Sequence, residues 1–288
     1  MPPRPPLTCL TQPNLPPDLP QTSLPQTSLS QTSSSTIRQS QSSPFSNPLE
    51  VSRWILFSMG IRIRVHHADR LPSSPFLMIA NHRSFLDAPL LMAAAQRPVH
   101  FACHHYMSQV PVMRDVVGAL GCFPLDQPQK RGRDFFRRAT DFLRSQSSIG
   151  VFPEGTGPMV DITAPNEVGP FHRGFAHLAL RYQSMAADPS VKDLKIVPTA
   201  IVALEEKQQD TVPFQLLSWF DPSEPLFRQS GRHPAVVYRR VTVVVGKPVA
   251  VSDWLPQVYG GKQAGTMANE LSNHCHAQVQ ALLKAGCF

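Results

Sequence analysis

Residues 76–80, Phe-Leu-Met-Ile-Ala, are apolar at every position and stop abruptly at Asn81-His82-Arg83-Ser84. Successive side chains of a strand point to opposite faces, so a run that is apolar on both faces has to be covered on both. The segment therefore reads as a central strand, sandwiched between layers. Ile149-Gly-Val-Phe-Pro153 repeats the pattern and is stopped by its proline. Further strands are predicted over 61–67, where apolar and polar residues alternate, over 98–103 and 194–203, and in the β-rich stretch 236–249. Between them lie helical patterns over 84–95, 107–120, 135–143, 171–182 and 266–284. The last carries Met267, Leu271, Cys275, Val279 and Leu282 along one face. Strands alternating with helices predict an α/β domain with a mixed, largely parallel sheet flanked by helices. In such sheets, sites form beyond the carboxyl ends of the strands.

This single domain is expected over residues 48–288. Residues 1–47 differ in kind: Pro, Ser, Gln, Thr and Leu dominate, and QTSLP, QTSLS and QTSSS follow one another from Gln21 to Ser35. A segment with so little apolar surface cannot offset its ordering entropy and is expected to be a disordered tail. It is Ser-rich and poor in acids, as transit peptides are, but has few arginines and no amphipathic period. The tail's charges are Arg4, Arg38 and Asp18, so +6 of the chain's formal +7 lies on the domain. That excess suits membrane headgroups, phosphorylated substrates or nucleic acid, and charge alone does not choose. The basic residues come without interleaved aromatics or a nucleic-acid-binding motif, so no nucleic-acid partner is expected. Five scattered cysteines suggest a reduced compartment rather than a disulfide framework. No apolar run reaches the roughly 18 residues of a spanning helix. Trp54 to Ile61, flanked by Arg53 and Arg62, suits either a membrane interface or an ordinary core-packing helix.

Two polar tracts follow strand ends. In the first, Ile79-Ala-Asn-His-Arg-Ser-Phe-Leu-Asp87, His82 and Asp87 are either a catalytic pair or two satisfied polar groups at a helix start, with Asn81 or Ser84 capping. In the second, Val151-Phe-Pro-Glu-Gly-Thr-Gly157, an acid follows a buried strand and glycines allow close backbone approach to a ligand. Two such clusters at two strand ends could share one crevice.

Together, in this order, the tracts resemble the glycerolipid acyltransferase superfamily, lysophosphatidate acyltransferase type. Asn81, His82 and Asp87 match its first motif, and Phe152, Pro153, Glu154, Gly155 and Thr156 match its third. Gly121 to Gln127 looks like the second motif and Val197-Pro198 like the fourth, so the resemblance spans about residues 50–285. It implies direct transfer of a fatty acyl group from acyl-CoA or acyl carrier protein to a lysolipid hydroxyl, with no cofactor and no metal. His82 would be the general base and Asp87 would orient its ring. Asn81, Glu154, Gly155 and Thr156 would help bind and position the acceptor. The implied setting is cytoplasmic and peripheral to a membrane with anionic lipids.

Two positions depart from the family pattern. Gln127 and Gly157 stand where arginines associated with the acceptor phosphate are common, which favours a phosphate-free lysolipid or glycolipid as second reading. Lys130, Arg131 and Arg133 lie just downstream of Gln127 and are candidates to hold the phosphate instead; the alternative is a solvated basic helix start. A catalytically silent lipid-binding module is a further alternative, against which intact His82, Asp87 and Glu154 argue. Histidines and cysteines at 100–105 and 274–276 fit no standard zinc spacing. No Gly-x-Ser-x-Gly elbow is present.

Overall fold

A computed structural model describes residues 47–109, 111–125, 131–155, 164–185, 193–213, 219, 232–255, 260–261 and 263–286. In chain order the elements are α1 (Pro48–Ser58), β1 (Arg62–His66), β2 (Phe76–Ala80), α2 (Asp87–Ala95), β3 (Val99–Cys103), α3 (Pro111–Ala119) and β4 (Phe123–Pro124). Then follow α4 (Arg131–Arg144), β5 (Ser148–Val151), α5 (Gly174–Ser184), β6 (Lys195–Pro213), β7 (Arg232–Val245), β8 (Val249–Ala250) and α6 (Gln263–Ala285). The tail expected over 1–47 lies outside the described residues except for Asn47, whose side chain caps α1 by accepting from the Leu49 N–H.

The strands form one sheet in the order β1-β7-β6-β2-β5-β3-β4, with β8 beside β6. Pairings β1–β7, β2–β5, β2–β6, β3–β5 and β3–β4 are parallel; β6–β7 and β6–β8 are antiparallel. The sheet is mixed and largely parallel, as the alternating pattern predicts. β2 lies at its centre with all five residues buried, and its period of two divides the core. Leu77 and Ile79 join the layer of α4, α5 and α6, including Leu143, Leu178, Leu271 and Val279. Phe76, Met78 and Ala80 join the layer of α1 and α2, with Leu56, Leu90 and Leu91.

The structure corrects several boundaries. Helix α2 starts at Asp87, not Ser84, because residues 83–86 form a turn whose backbone is occupied by the Asp87 carboxylate. Helix α3 starts at Pro111, where a ring without an N–H suits a first turn. Strand β6 runs ten residues past the predicted Ala203. Its polar second half pairs with β7 through three register shifts, so no apolar alternation announces it. Within the Trp54 to Ile61 segment Leu56 is buried, as the core-packing reading expects and as are Leu49 and Val51 earlier on α1, while Trp54 and Phe57 are 59% and 84% exposed. No described helix is long and apolar enough to cross a membrane.

Candidate active site

Strands β2 and β5 are parallel neighbours, so the tracts that leave their carboxyl ends meet. The backbone N–H of His82 donates to Glu154 Oε1 at 2.9 Å, and the Gly169 N–H donates to Oε2 at 2.5 Å. One buried carboxylate thus ties three loops together. Burial pushes the Glu154 carboxyl above its usual range, and the two N–H donors oppose that shift without cancelling it. Gly155 has φ +71°, a conformation that L side chains rarely adopt, and turns the chain directly after Glu154. The return is fixed by the His172 N–H donating to the Pro153 carbonyl at 2.8 Å.

Asn81 extends the sheet beyond the last residue of β2. Its amide donates to the Ile201 carbonyl at 3.0 Å and accepts from the Ile201 N–H at 2.8 Å, so both polar atoms are engaged by β6. With Asn81 pinned, His82 emerges in a fixed direction. Its ring stacks on Phe152 at 4.0 Å, and Phe152 stacks on Phe101 at 5.1 Å. Phe101 in turn occupies the space that a side chain at position 150 would need, because a Cβ on Gly150 would overlap its ring.

His82 Nδ1 lies 2.9 Å from Asp87 Oδ2. The Asp87 side chain is 1% exposed and meets four donors. Besides the imidazole, the Arg83 and Ser84 N–H groups donate to Oδ2 at 2.7 and 2.9 Å, and the Tyr238 hydroxyl donates to Oδ1 at 2.9 Å. A carboxylate so placed accepts from Nδ1–H, which leaves Nε2 as the nitrogen able to take a proton. The arrangement suits general-base activation of a hydroxyl.

Neighbouring groups that could act as nucleophiles are committed elsewhere. Ser84 Oγ donates to the Val236 carbonyl at 2.5 Å. Burial pushes the thiols of Cys103 and Cys122 up, the latter to about 12, so both stay protonated at neutral pH. His100 bonds the Gly121 carbonyl at 2.7 Å and stacks on Phe142, a packing role.

Sequence reasoning missed Tyr238 and the buried pair of Arg83 with Glu206, bidentate at 2.6 and 2.9 Å. The available signal was a tyrosine among inward valines of β7, since a buried phenol needs a partner. Arg131 begins α4, and Arg133 is exposed on its first turn. Lys130, Thr156, Gln127 and Gly157 lie outside the described residues.

A family model described as Acyltransferase matches residues 62–202. The chain is 28% identical over 116 residues to the chloroplastic 1-acyl-sn-glycerol-3-phosphate acyltransferase BAT2 of Brassica napus, covering 39% of this chain and 32% of that protein. It is 26% identical over 159 residues to a probable 1-acyl-sn-glycerol-3-phosphate acyltransferase of Mycoplasma genitalium, covering 50% of this chain and 57% of the relative. Matches to the curated relatives thus span between 27% and 57% of their length. Among solved structures, the 1-acyl-sn-glycerophosphate acyltransferase PlsC of Thermotoga maritima superposes with a TM-score of 0.51 at 16% identity. That match covers 83% of this chain and 78% of the other, and it bears on the fold alone.

Proposed function

The chain belongs to the glycerolipid acyltransferase superfamily, and on that premise we propose that it moves a fatty acyl group from an acyl thioester to a lysolipid hydroxyl. The donor is acyl-CoA or acyl carrier protein, and the foremost acceptor is 1-acylglycerol-3-phosphate, giving phosphatidate. The observation that carries this reading is the His82–Asp87 pair at 2.9 Å, its carboxylate held by two backbone N–H groups and Tyr238. In the first half of the reaction the acceptor oxygen attacks the thioester carbonyl while His82 Nε2 takes the hydroxyl proton. The tetrahedral intermediate then expels the thiolate, which receives that proton from the imidazolium. The products are an ester and a free thiol, with no acyl-enzyme between.

In this reading Glu154 and Gly155 shape the acceptor side of the crevice, together with Thr156. Asn81 contributes by holding the His82 loop against β6. The basic residues Lys130, Arg131 and Arg133 supply phosphate contacts. A phosphate-free lysolipid or glycolipid remains the second reading, favoured by Gln127 and Gly157 in place of arginines. The proposed setting is the cytoplasmic face of a membrane containing anionic lipids. The domain's basic excess and the exposed Trp54 and Phe57 on α1 support it.

The test is a product survey with purified protein, labelled acyl-CoA and acyl carrier protein donors, and a panel of lysolipids. Labelled phosphatidate is expected. Transfer only to phosphate-free acceptors would establish the second reading, and transfer to none would leave a lipid-binding module.

A further inference from the structure

Strands β6 and β7 hold the His82 loop at several points. Asn81 bonds the Ile201 backbone, and Ser84 Oγ donates to the Val236 carbonyl. Tyr238 donates to Asp87, and the Arg83 guanidinium donates to both carboxylate oxygens of Glu206. The last two contacts come from one place in the sheet. Glu206 and Tyr238 are directly paired across β6 and β7, so their side chains share a face. That face packs in the layer of α1 and α2, with Ala203 and Val241. A strict two-residue period from Ala203 would send Glu205 into this layer and Glu206 away from it. The register instead shifts between Ala203 and Glu205, and again between Glu205 and Glu206. Glu205 is left exposed beside Arg240, and Glu206 faces Arg83. Irregularities of this kind re-aim side chains next to active sites.

The contact is electrostatic as well as geometric. The Arg83 side chain is 2% exposed and that of Glu206 15%, so little water screens them. Burial opposes the Arg83 charge, and Glu206, helped by Tyr238 and Asp87, outweighs burial and holds the guanidinium above its ordinary range. Arg83 thus keeps a positive charge within electrostatic reach of the aspartate that bonds His82. Left uncompensated, that cation would oppose the imidazolium that the Asp87 charge has to stabilise during the transfer. Glu206 balances it. The charged and titratable groups around His82 are then Asp87 at the start of α2, Tyr238 of β7, and Arg83 paired with Glu206 of β6. Glu154, after β5, accepts from the His82 N–H, and His172 lies beyond it against Gly155.

We infer that Arg83 and Glu206 are positioning residues for the acyl transfer, acting on His82 through Asp87 and the loop between them. The bidentate contact fixes that loop to the irregular stretch of β6. The balanced charges leave the Asp87 carboxylate available to His82. Neither side chain has to touch substrate. The inference rests on the general-base chemistry proposed above.

The experiment compares the full chain as wild type, R83K, R83Q, E206Q and R83Q/E206Q, with circular dichroism and urea denaturation giving the folded fraction. The donor and lysolipid that turn over fastest in the product survey serve as substrates. The readouts are kcat per folded molecule, both KM values, and the acid limb of the kcat/KM profile, where the base becomes protonated. R83K keeps the charge and loses the planar fork. Its kcat should fall about tenfold or more with KM values near wild type and the acid limb in place. R83Q leaves Glu206 unbalanced, which favours the imidazolium and moves the limb to higher pH. E206Q leaves Arg83 unbalanced and moves it to lower pH. Each displacement should be about half a pH unit or more, as for a unit charge within roughly 10 Å at an effective dielectric of about 20. Glu154 is common to every variant, so its titration does not produce opposite shifts. The double variant should restore the limb but not kcat. A limb that stays fixed, or moves the same way in R83Q and E206Q, overturns the inference. So does wild-type kcat in folded R83K, which would leave the pair a structural clamp. Should R83Q or E206Q fail to fold, because each leaves a buried charge unpaired, R83K and the double variant decide: both must keep the wild-type limb with a lower kcat. A wild type that transfers no acyl group refutes the proposed function and this inference with it; transfer with the wrong variant pattern refutes this inference alone.

Discussion

The Tyr238 hydroxyl donates to Asp87 Oδ1 at 2.9 Å across 151 residues of sequence, joining β7 to the start of α2. Both residues are buried. Burial and the Asp87 charge hold the phenol well above its usual pKa, so it remains a donor. The aspartate that bonds His82 is thus itself held by a residue far away in sequence.

Y238F keeps the ring and deletes this donor. A hydrogen bond to a charged group is worth about 1.5–3 kcal/mol, and a comparable loss of stability is expected in urea denaturation. Steady-state kinetics should show a lower kcat with both KM values near wild type. A merely structural role would lower stability without that split.

H82A removes the proposed base. Turnover should fall roughly 10²- to 10⁴-fold with the circular dichroism spectrum retained. D87N should also fall, because an amide can present its NH₂ to Nδ1 and favour the wrong tautomer. Wild-type turnover in folded H82A would remove the mechanism.

The Glu154 carboxyl gives the domain a pH signature. Its folded pKa is raised above the ordinary 4.5, so the associated stability is present below that value and is lost as pH rises through the folded pKa. Denaturation midpoints measured upward from about pH 4.5 should include this decline in wild type and lack it in E154Q.

G150A tests the aromatic stack. The added methyl would overlap the Phe101 ring that backs Phe152 and His82. Overpacking should cost about 1–3 kcal/mol in denaturation. Activity should drop further than the population of unfolded protein accounts for.

Helix α1 offers a membrane test. Sedimentation with anionic vesicles should weaken as salt rises, because headgroup attraction is screened over about 10 Å at 0.1 M. A salt-resistant share should persist in wild type and vanish in W54S/F57S, whose substituted side chains are the exposed ones. Equal binding of wild type and variant at high salt would exclude insertion by this face.

The sequence alone determined the central strand and the α/β alternation, and through the family resemblance it singled out His82 and Asp87 as a pair. Each depends on neighbours a few positions apart: a two-residue period for β2, a five-residue spacing across one turn, and a proline that stops β5. Only the tertiary structure decided what holds that pair in place. Asn81 meets Ile201, Ser84 meets Val236 and Asp87 meets Tyr238 at sequence separations of 120, 152 and 151. Those contacts depend on strand order and register, which local periodicity does not encode. The same reason hid the long end of β6, where polar residues pair with β7 and carry no apolar pattern.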